Sequence, residues 1–167
     1  GSNFNATAKD EDNYKAKVAS FILGGSGFGS RLMEEIRVKR GLAYSAYSNI
    51  NINRSYSSFS GYLQTKNESY KEAKDIVISL VEEFVKNGVT KEELEAAKNF
   101  LTGSEPLRTE TLAQRLNRAF MLDFKGLSQD YPKIELEKIQ NLTLEDLNSY
   151  IKTHTELNNL TFFVVRK

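Results

Sequence analysis

Residues 22–48 read ILGGSGFGSRLMEEIRVKRGLAYSAYS, and the fold hangs on how this stretch is parsed. Upstream of it, Tyr14, Val18, Phe21 and Ile22 fall on one helical face, which predicts a helix starting near residues 10–12. Gly24 and Gly25 end that pattern, as glycine does at helix C-termini. Residues 24–30, GGSGFGS, then read as a flexible loop. A short helix over 30–39 follows, with Leu32, Met33 and Ile36 as its apolar side and Gly41 as its stop. From Ala43 the character changes to aromatic and Ser-rich residues with stretches of period two. Tyr and Phe suit a half-buried pleated surface, so 43–51 and 55–65 predict an antiparallel hairpin turning at 51–54.

Working outward, 67–86 carries the clearest helical stripe: Ala73, Ile76, Val77, Leu80, Val81, Phe84 and Val85. Asn67 is expected to cap it and Gly88 to close it. Thr90 and Glu93 have the spacing of a capping box and open a helix over 91–101. Pro106 interrupts the chain. A helix over 109–124 is predicted next, with Leu112, Leu116, Ala119 and Phe120 as its apolar face and Gly126 as its end. Short helices near 131–140 and 144–153 follow, the second capped by Thr143. The run LTFFVVR at 160–166 reads as a closing strand. Residues 1–11 have weak strand character at best. Consecutive helices between hairpin and closing strand predict an α+β fold, a mainly antiparallel sheet with helices packed on one face.

Composition narrows the function classes. The 167 residues suit one domain with a real core, and 40% of them are apolar. Lys plus Arg is 23 and Asp plus Glu is 22, so no basic surplus points to nucleic acid. No run approaches the roughly 20 apolar residues of a membrane span. Cys is absent, which removes disulfides, thiolate metal sites and thiol nucleophiles. One His is present, too few for a self-contained zinc hydrolase. The opening Gly-Ser has the look of a cloning scar, so the start of the chain says nothing of location.

Several features have plain structural readings. The glycine loop could cradle a phosphate, but a helix rather than a strand precedes it and no Gly-Lys-Ser/Thr ends it. Five Asn-x-Ser/Thr triplets fit chance in an Asn-rich chain, two of them at helix starts. His154 reads as a surface residue near a helix end. The pairs Glu34-Glu35 and Glu82-Glu83 read as solvated helix faces without a His beside them.

In residues 22–48 a Leu-Gly-Gly loop is followed by Ser30-Arg31-Leu32, Glu35-Ile36-Arg37 and Arg40-Gly41-Leu42-Ala43-Tyr44-Ser45, in that order. This closely resembles the C-terminal-type half-domains of the insulinase/pitrilysin family, the inverted-motif zinc metallopeptidases that include the mitochondrial processing peptidases. The later layout of a long helix, the Thr-led TKEELEAAK helix, further helices and a closing strand is similar as well. The resemblance implies a LuxS/processing-peptidase-like metallohydrolase half-domain spanning 1–167. It also implies that a strand or two should precede the first helix. Here only the polar residues 1–11 do, so truncation at the N-terminal strand is expected. An uncovered sheet edge would then recruit another chain, which allows a homo-oligomer.

The resemblance further implies a division of labour. Family members pair half-domains around a peptide chamber, and one half carries HxxEH with zinc. This sequence lacks that motif, so zinc is expected in a partner half-domain, in the same full-length chain or a separate subunit. The other half contributes an Arg and a Tyr seven positions later, which match Arg37 and Tyr44. Guanidinium and phenol are both hydrogen-bond donors. Aimed at a scissile carbonyl, they would hold the peptide and stabilise the negative charge of the transition state. Gly24, Gly25 and Gly27 are expected to wall the peptide chamber, and the hairpin edge could bind peptide by strand addition. The alternative is a degenerate relative serving as a structural or binding subunit without catalysis. A nucleotide-binding domain using residues 24–30 stays as a third reading. Neither membrane nor nucleic acid is expected as a partner, and bacterial periplasm and cytoplasm both remain open as locations.

Overall fold

The computed structural model describes residues 1–166, the side chain of Phe28 aside. Among these residues the strands are β1 (Ser2–Phe4), β2 (Ala43–Asn51) and β3 (Ser57–Thr65), in the spatial order β1-β3-β2 and antiparallel throughout. The helices are α1 (Asn13–Ser20), α2 (Arg31–Met33), α3 (Tyr70–Asn87), α4 (Lys91–Gly103), α5 (Leu112–Lys125), α6 (Tyr131–Asn141) and α7 (Leu144–Thr153). This is the α+β arrangement that the order of elements predicts. α1, α2 and the π-helical turns that follow each of them pack on the inner face of the hairpin through Leu23, Leu32, Ile36, Ala43 and Ala46, all buried. The opposite face leaves Tyr44, Tyr47 and Tyr62 exposed.

Local chemistry sets most boundaries. Thr90 accepts a hydrogen bond from Glu93 N at 3.2 Å while the Glu93 carboxylate accepts from Thr90 N at 2.7 Å, so the capping box that opens α4 is closed in both directions. α5 starts with a second such box, Thr111 with Gln114. Its T-x-x-Q spacing is legible in the sequence and places the helix start after Thr111 rather than at 109. Gly88 and Gly126 end α3 and α5 with φ of 75° and 71°, a region that costs a side chain dearly. Asn67 lies in a separate 3-10 turn before α3, and the Ser69 side chain at the start of that helix makes no capping hydrogen bond.

Four expectations are corrected. Residues 24–30 are not a loop: α1 runs on as a π-helical turn, Phe21–Gly25, and a 3-10 turn, Gly27–Gly29, follows. Ser26 N donates to Phe21 O at 3.0 Å, and that five-residue step carries the backbone where glycine had suggested a break. His154 is not on the surface. It is 8% exposed, stacked on Phe4 and tilted against Tyr150, with ring centroids 4.4 Å away in each case. Its Nδ1 lies 2.8 Å from Glu156 Oε1. Burial alone would raise the Glu156 carboxyl, but the hydrogen bonds from His154 and from Asn5 N outweigh it and hold the pKa low.

The third correction concerns α5. Leu112, Leu116, Phe120 and Phe124 recur every four residues, yet this stripe faces outward and Leu116 is 69% exposed. Leu122, on the other side, is the buried residue of the helix. Periodicity shows that a helix has an apolar face but not what covers it. The fourth concerns 160–166, which is extended but not a strand. Its Thr161 exchanges both backbone hydrogen bonds with Gly1, at 2.9 and 2.8 Å. Beyond Thr161, no strand among the described residues pairs with the segment.

Candidate functional site

The site is built by the stretch from α2 to β2. Ser30 caps α2, its Oγ accepting from Met33 N at 3.4 Å and donating to Gly27 O at 2.8 Å. Arg31 fastens the helix from the side: Nε and Nη2 donate to the two Glu93 oxygens at 2.6 and 2.7 Å, and Nη2 also donates to Gly88 O at 2.9 Å. Its guanidinium lies 5.4 Å from the Phe84 ring. A residue near the start of the motif is thereby tied to the α3–α4 junction, far along the chain. Leu32 and Ile36, both buried, fix the rotation of the helix about its axis.

α2 does not end as an α-helix. It widens into a π-helical segment, Glu34–Lys39. Gly41, with φ of 63°, then reverses the chain into β2, and Leu42 N closes the turn on Ile36 O at 2.9 Å. Such π-helical insertions are frequent at functional sites, where they re-aim side chains. The basic residues here are not equivalent. Glu35 pairs with both Lys39 and Arg40, and those bonds hold its carboxyl below the usual range. Arg37 turns the other way and lies over the Tyr44 ring, 4.9 Å from its centroid. This is a cation–π contact.

Tyr44 owes its position to a β-bulge. Ala43 pairs with Thr65 and Ala46 with Leu63, so β2 spends one extra residue between them. Ala43 and Ala46 both point into the core, and Tyr44 swings out to 81% exposure. Tyr47 and Tyr62, paired across the strands with rings 5.7 Å apart, continue the aromatic surface. The two residues singled out seven apart in sequence therefore meet on one rim. Tyr44 faces away from the core there with the half-buried Arg37 over its ring, and guanidinium and phenol are both donors that suit a carbonyl or carboxylate of a bound chain.

The three glycines part ways. Gly24 is buried against β2, and a Cβ there would collide with the Ser48 side chain and come within 2.9 Å of Leu32 Cδ1. Its absent side chain lets helix and strand close up. Gly25 and Gly27 sit nearer the surface, Gly27 with φ of 66° and open space where a Cβ would stand. For a metal the residues do not fit: among the described residues no three His, Cys, Asp or Glu side chains gather, and His154 is enclosed by Phe4, Tyr150 and Glu156.

This geometry can be set beside known proteins. The family described as the peptidase M16 inactive domain matches residues 3–101. The chain belongs to that family. It is 46% identical over 165 residues to a non-peptidase homolog, YmxG, of Helicobacter pylori, a match covering 99% of this chain and 38% of the relative. It is 28% identical over 139 residues to an uncharacterized zinc protease of Mycobacterium bovis, covering 83% of this chain and 32% of that one. Among solved structures, a peptidase M16 inactive domain from Pseudomonas fluorescens superposes with a TM-score of 0.84 at 30% identity, over 93% of this chain and 36% of that one. The chain thus spans well under half the length of these relatives. It is an M16 inactive-type half-domain of the kind found in zinc-protease-like proteins, and its family match takes in the whole α2–β2 site.

Proposed function

We propose that this chain is the non-zinc half of an M16 peptidase assembly and that Arg37 and Tyr44 contribute to catalysis there. Its partner is a half-domain bearing HxxEH, and its substrate is a peptide. The observation that carries the reading is the Arg37–Tyr44 stack on an exposed rim, held out by a π-helical turn on one side and a β-bulge on the other. Two consecutive backbone irregularities that bring these two donors to one rim favour a functional rim over a scaffold. The guanidinium orients the peptide and the phenol donates to the carbonyl oxygen as negative charge develops on it. Metal chemistry, where it occurs, belongs to the partner half, and no step passes through this chain's own ligands. Gly25 and Gly27 are the positions at which the peptide would pass, with Gly24 behind them in the packing.

The test joins the chain to its HxxEH half and follows peptide cleavage. Arg37→Ala or Tyr44→Phe should each lower kcat/KM by roughly 100–1000-fold, the usual consequence of losing an oxyanion donor. Unchanged cleavage in both variants would remove the catalytic assignment.

A second reading has its own support. The Helicobacter relative, 46% identical across nearly all of this chain, is named a non-peptidase homolog. By that reading the chain is a binding or structural subunit. It predicts normal assembly with the partner half and no cleavage in the wild-type complex.

A further inference from the structure

A cavity of about 330 Å³ opens between α1, the end of β2 and the helices α5 and α6. It lies beside Ile50, at the far end of β2 from Tyr44. That volume is within the range of small-molecule sites. Its charges do not balance. α1 contributes Lys17 and α6 contributes Glu135, and these two pair with each other. Arg108, just before α5, and Lys125, in its last turn, are then left over. Arg108 Nε is 3.9 Å from Glu105 Oε2, a loose contact, and the same carboxylate holds Arg118 closer. Lys125 is half-buried and makes no ion pair among the described residues. Tyr131 adds a phenol whose pKa is pushed up by burial and by Glu135, so it stays a neutral donor.

The α1 wall of the cavity holds a buried acceptor. Asn13 is 8% exposed and lines the space. Its Nδ2 donates to Thr7 O at 2.8 Å, while its Oδ1 is buried and accepts no hydrogen bond among the described residues. A buried acceptor left without a donor is a standing cost to the fold, which a bound donor removes. We propose that this cavity binds a small dianion that carries a hydroxyl group, with its acid groups held by Arg108 and Lys125 and its hydroxyl donating to Asn13 Oδ1.

Each part of that description answers one feature of the cavity. Two unspent cations in a walled cleft draw in negative charge. The planar Arg108 fork matches a carboxylate and a phosphate alike, so both are candidate acid groups. A hydroxyl supplies the donor that a plain acid lacks. A single water would serve Asn13 but leave both cations uncompensated. A metal ion would meet three cationic groups and one carboxylate that is already paired. Neither Arg37 nor Tyr44 lines the cavity, so this inference stands apart from the catalytic proposal and does not rest on it.

The test compares acids that differ in the hydroxyl. L-malate is set against succinate, and glycerol 3-phosphate against propyl phosphate, each titrated into the full chain by calorimetry and by NMR. In at least one pair the hydroxylated member should bind at least about tenfold tighter than its plain analogue. The pair in which this happens tells carboxylate from phosphate. The tighter probe should also shift the side-chain amide signals of Asn13. Arg108→Ala together with Lys125→Ala should weaken that probe by about tenfold or more, with Tm nearly unchanged because neither side chain is in the core. Equal affinity within both pairs would overturn the proposal, since water would then be serving Asn13. Unchanged affinity in the double variant would overturn it by placing the acid elsewhere. The absence of saturable binding by all four probes at millimolar concentration would overturn it outright.

Discussion

Arg37 and Tyr44 show how much one residue's setting can differ from its neighbour's. Lys39 and Arg40 spend their charge on Glu35, while Arg37 rests on an aromatic face. A planar guanidinium can stack and still donate from its edge, which an ammonium cannot. Arg37→Lys should therefore recover little of the cleavage activity lost in Arg37→Ala, and recovery to near wild type would show that charge alone matters. Gly24 makes a different point, because its role is to be absent. Gly24→Ala should destabilise the chain by about 1–3 kcal/mol in urea unfolding, as overpacking does. An unchanged midpoint would mean that β2 can shift at Ser48, backbone included, without cost.

At the scale of elements, the Arg31–Glu93 pair ties α2 to the start of α4. Burial would raise the Glu93 carboxyl, but the hydrogen bonds from Arg31 and Thr90 N prevail and its pKa lies below the ordinary 4.5. A carboxyl with a depressed folded pKa binds protons more weakly than in the unfolded chain. Its contribution is complete above the ordinary value and is lost as pH falls through the folded one. Glu93→Gln should cost about 1–3 kcal/mol at neutral pH. The gap to wild type should narrow as pH drops below the usual carboxylate range. A gap that stays constant in acid, measured by urea unfolding at a series of pH values, would show that the charge contributes nothing. The sequence marks this junction only in part. Thr90 and Glu93 are readable as a capping box, but nothing local says that Glu93 also receives Arg31, because the two are distant in the chain.

At the scale of the whole molecule, the outer face of α5 is left uncovered. Leu112, Leu116, Phe120 and Phe124 form an exposed apolar stripe on a helix that buries only Leu122. Contiguous exposed apolar surface of this kind marks interaction sites. Leu116→Asp with Phe120→Asp should leave Tm nearly unchanged, since neither side chain is buried. In the assembly proposed above, the same pair should weaken binding of the HxxEH half by about tenfold or more, as loss of central apolar anchors does. Full assembly of the double variant, followed by light scattering, would assign the stripe to some other contact.

The residues alone determined the hairpin, the capping box and most of the helices, because each rests on contacts within a few positions or on a repeat of 3.6 or 2, whereas Arg37 and Tyr44 were singled out through the resemblance of the motif to a family. The ordered motif across 22–48 did the same for the family. Tertiary structure decided which faces are covered. The α5 stripe and the core stripe of α3 look alike as patterns, and only packing shows that one is buried and the other is not. His154 lies within because Phe4, from the other end of the chain, stacks on it. The run 160–166 has the composition of a strand, yet a strand is a relation between two segments, and beyond Thr161 none of the described strands pairs with it.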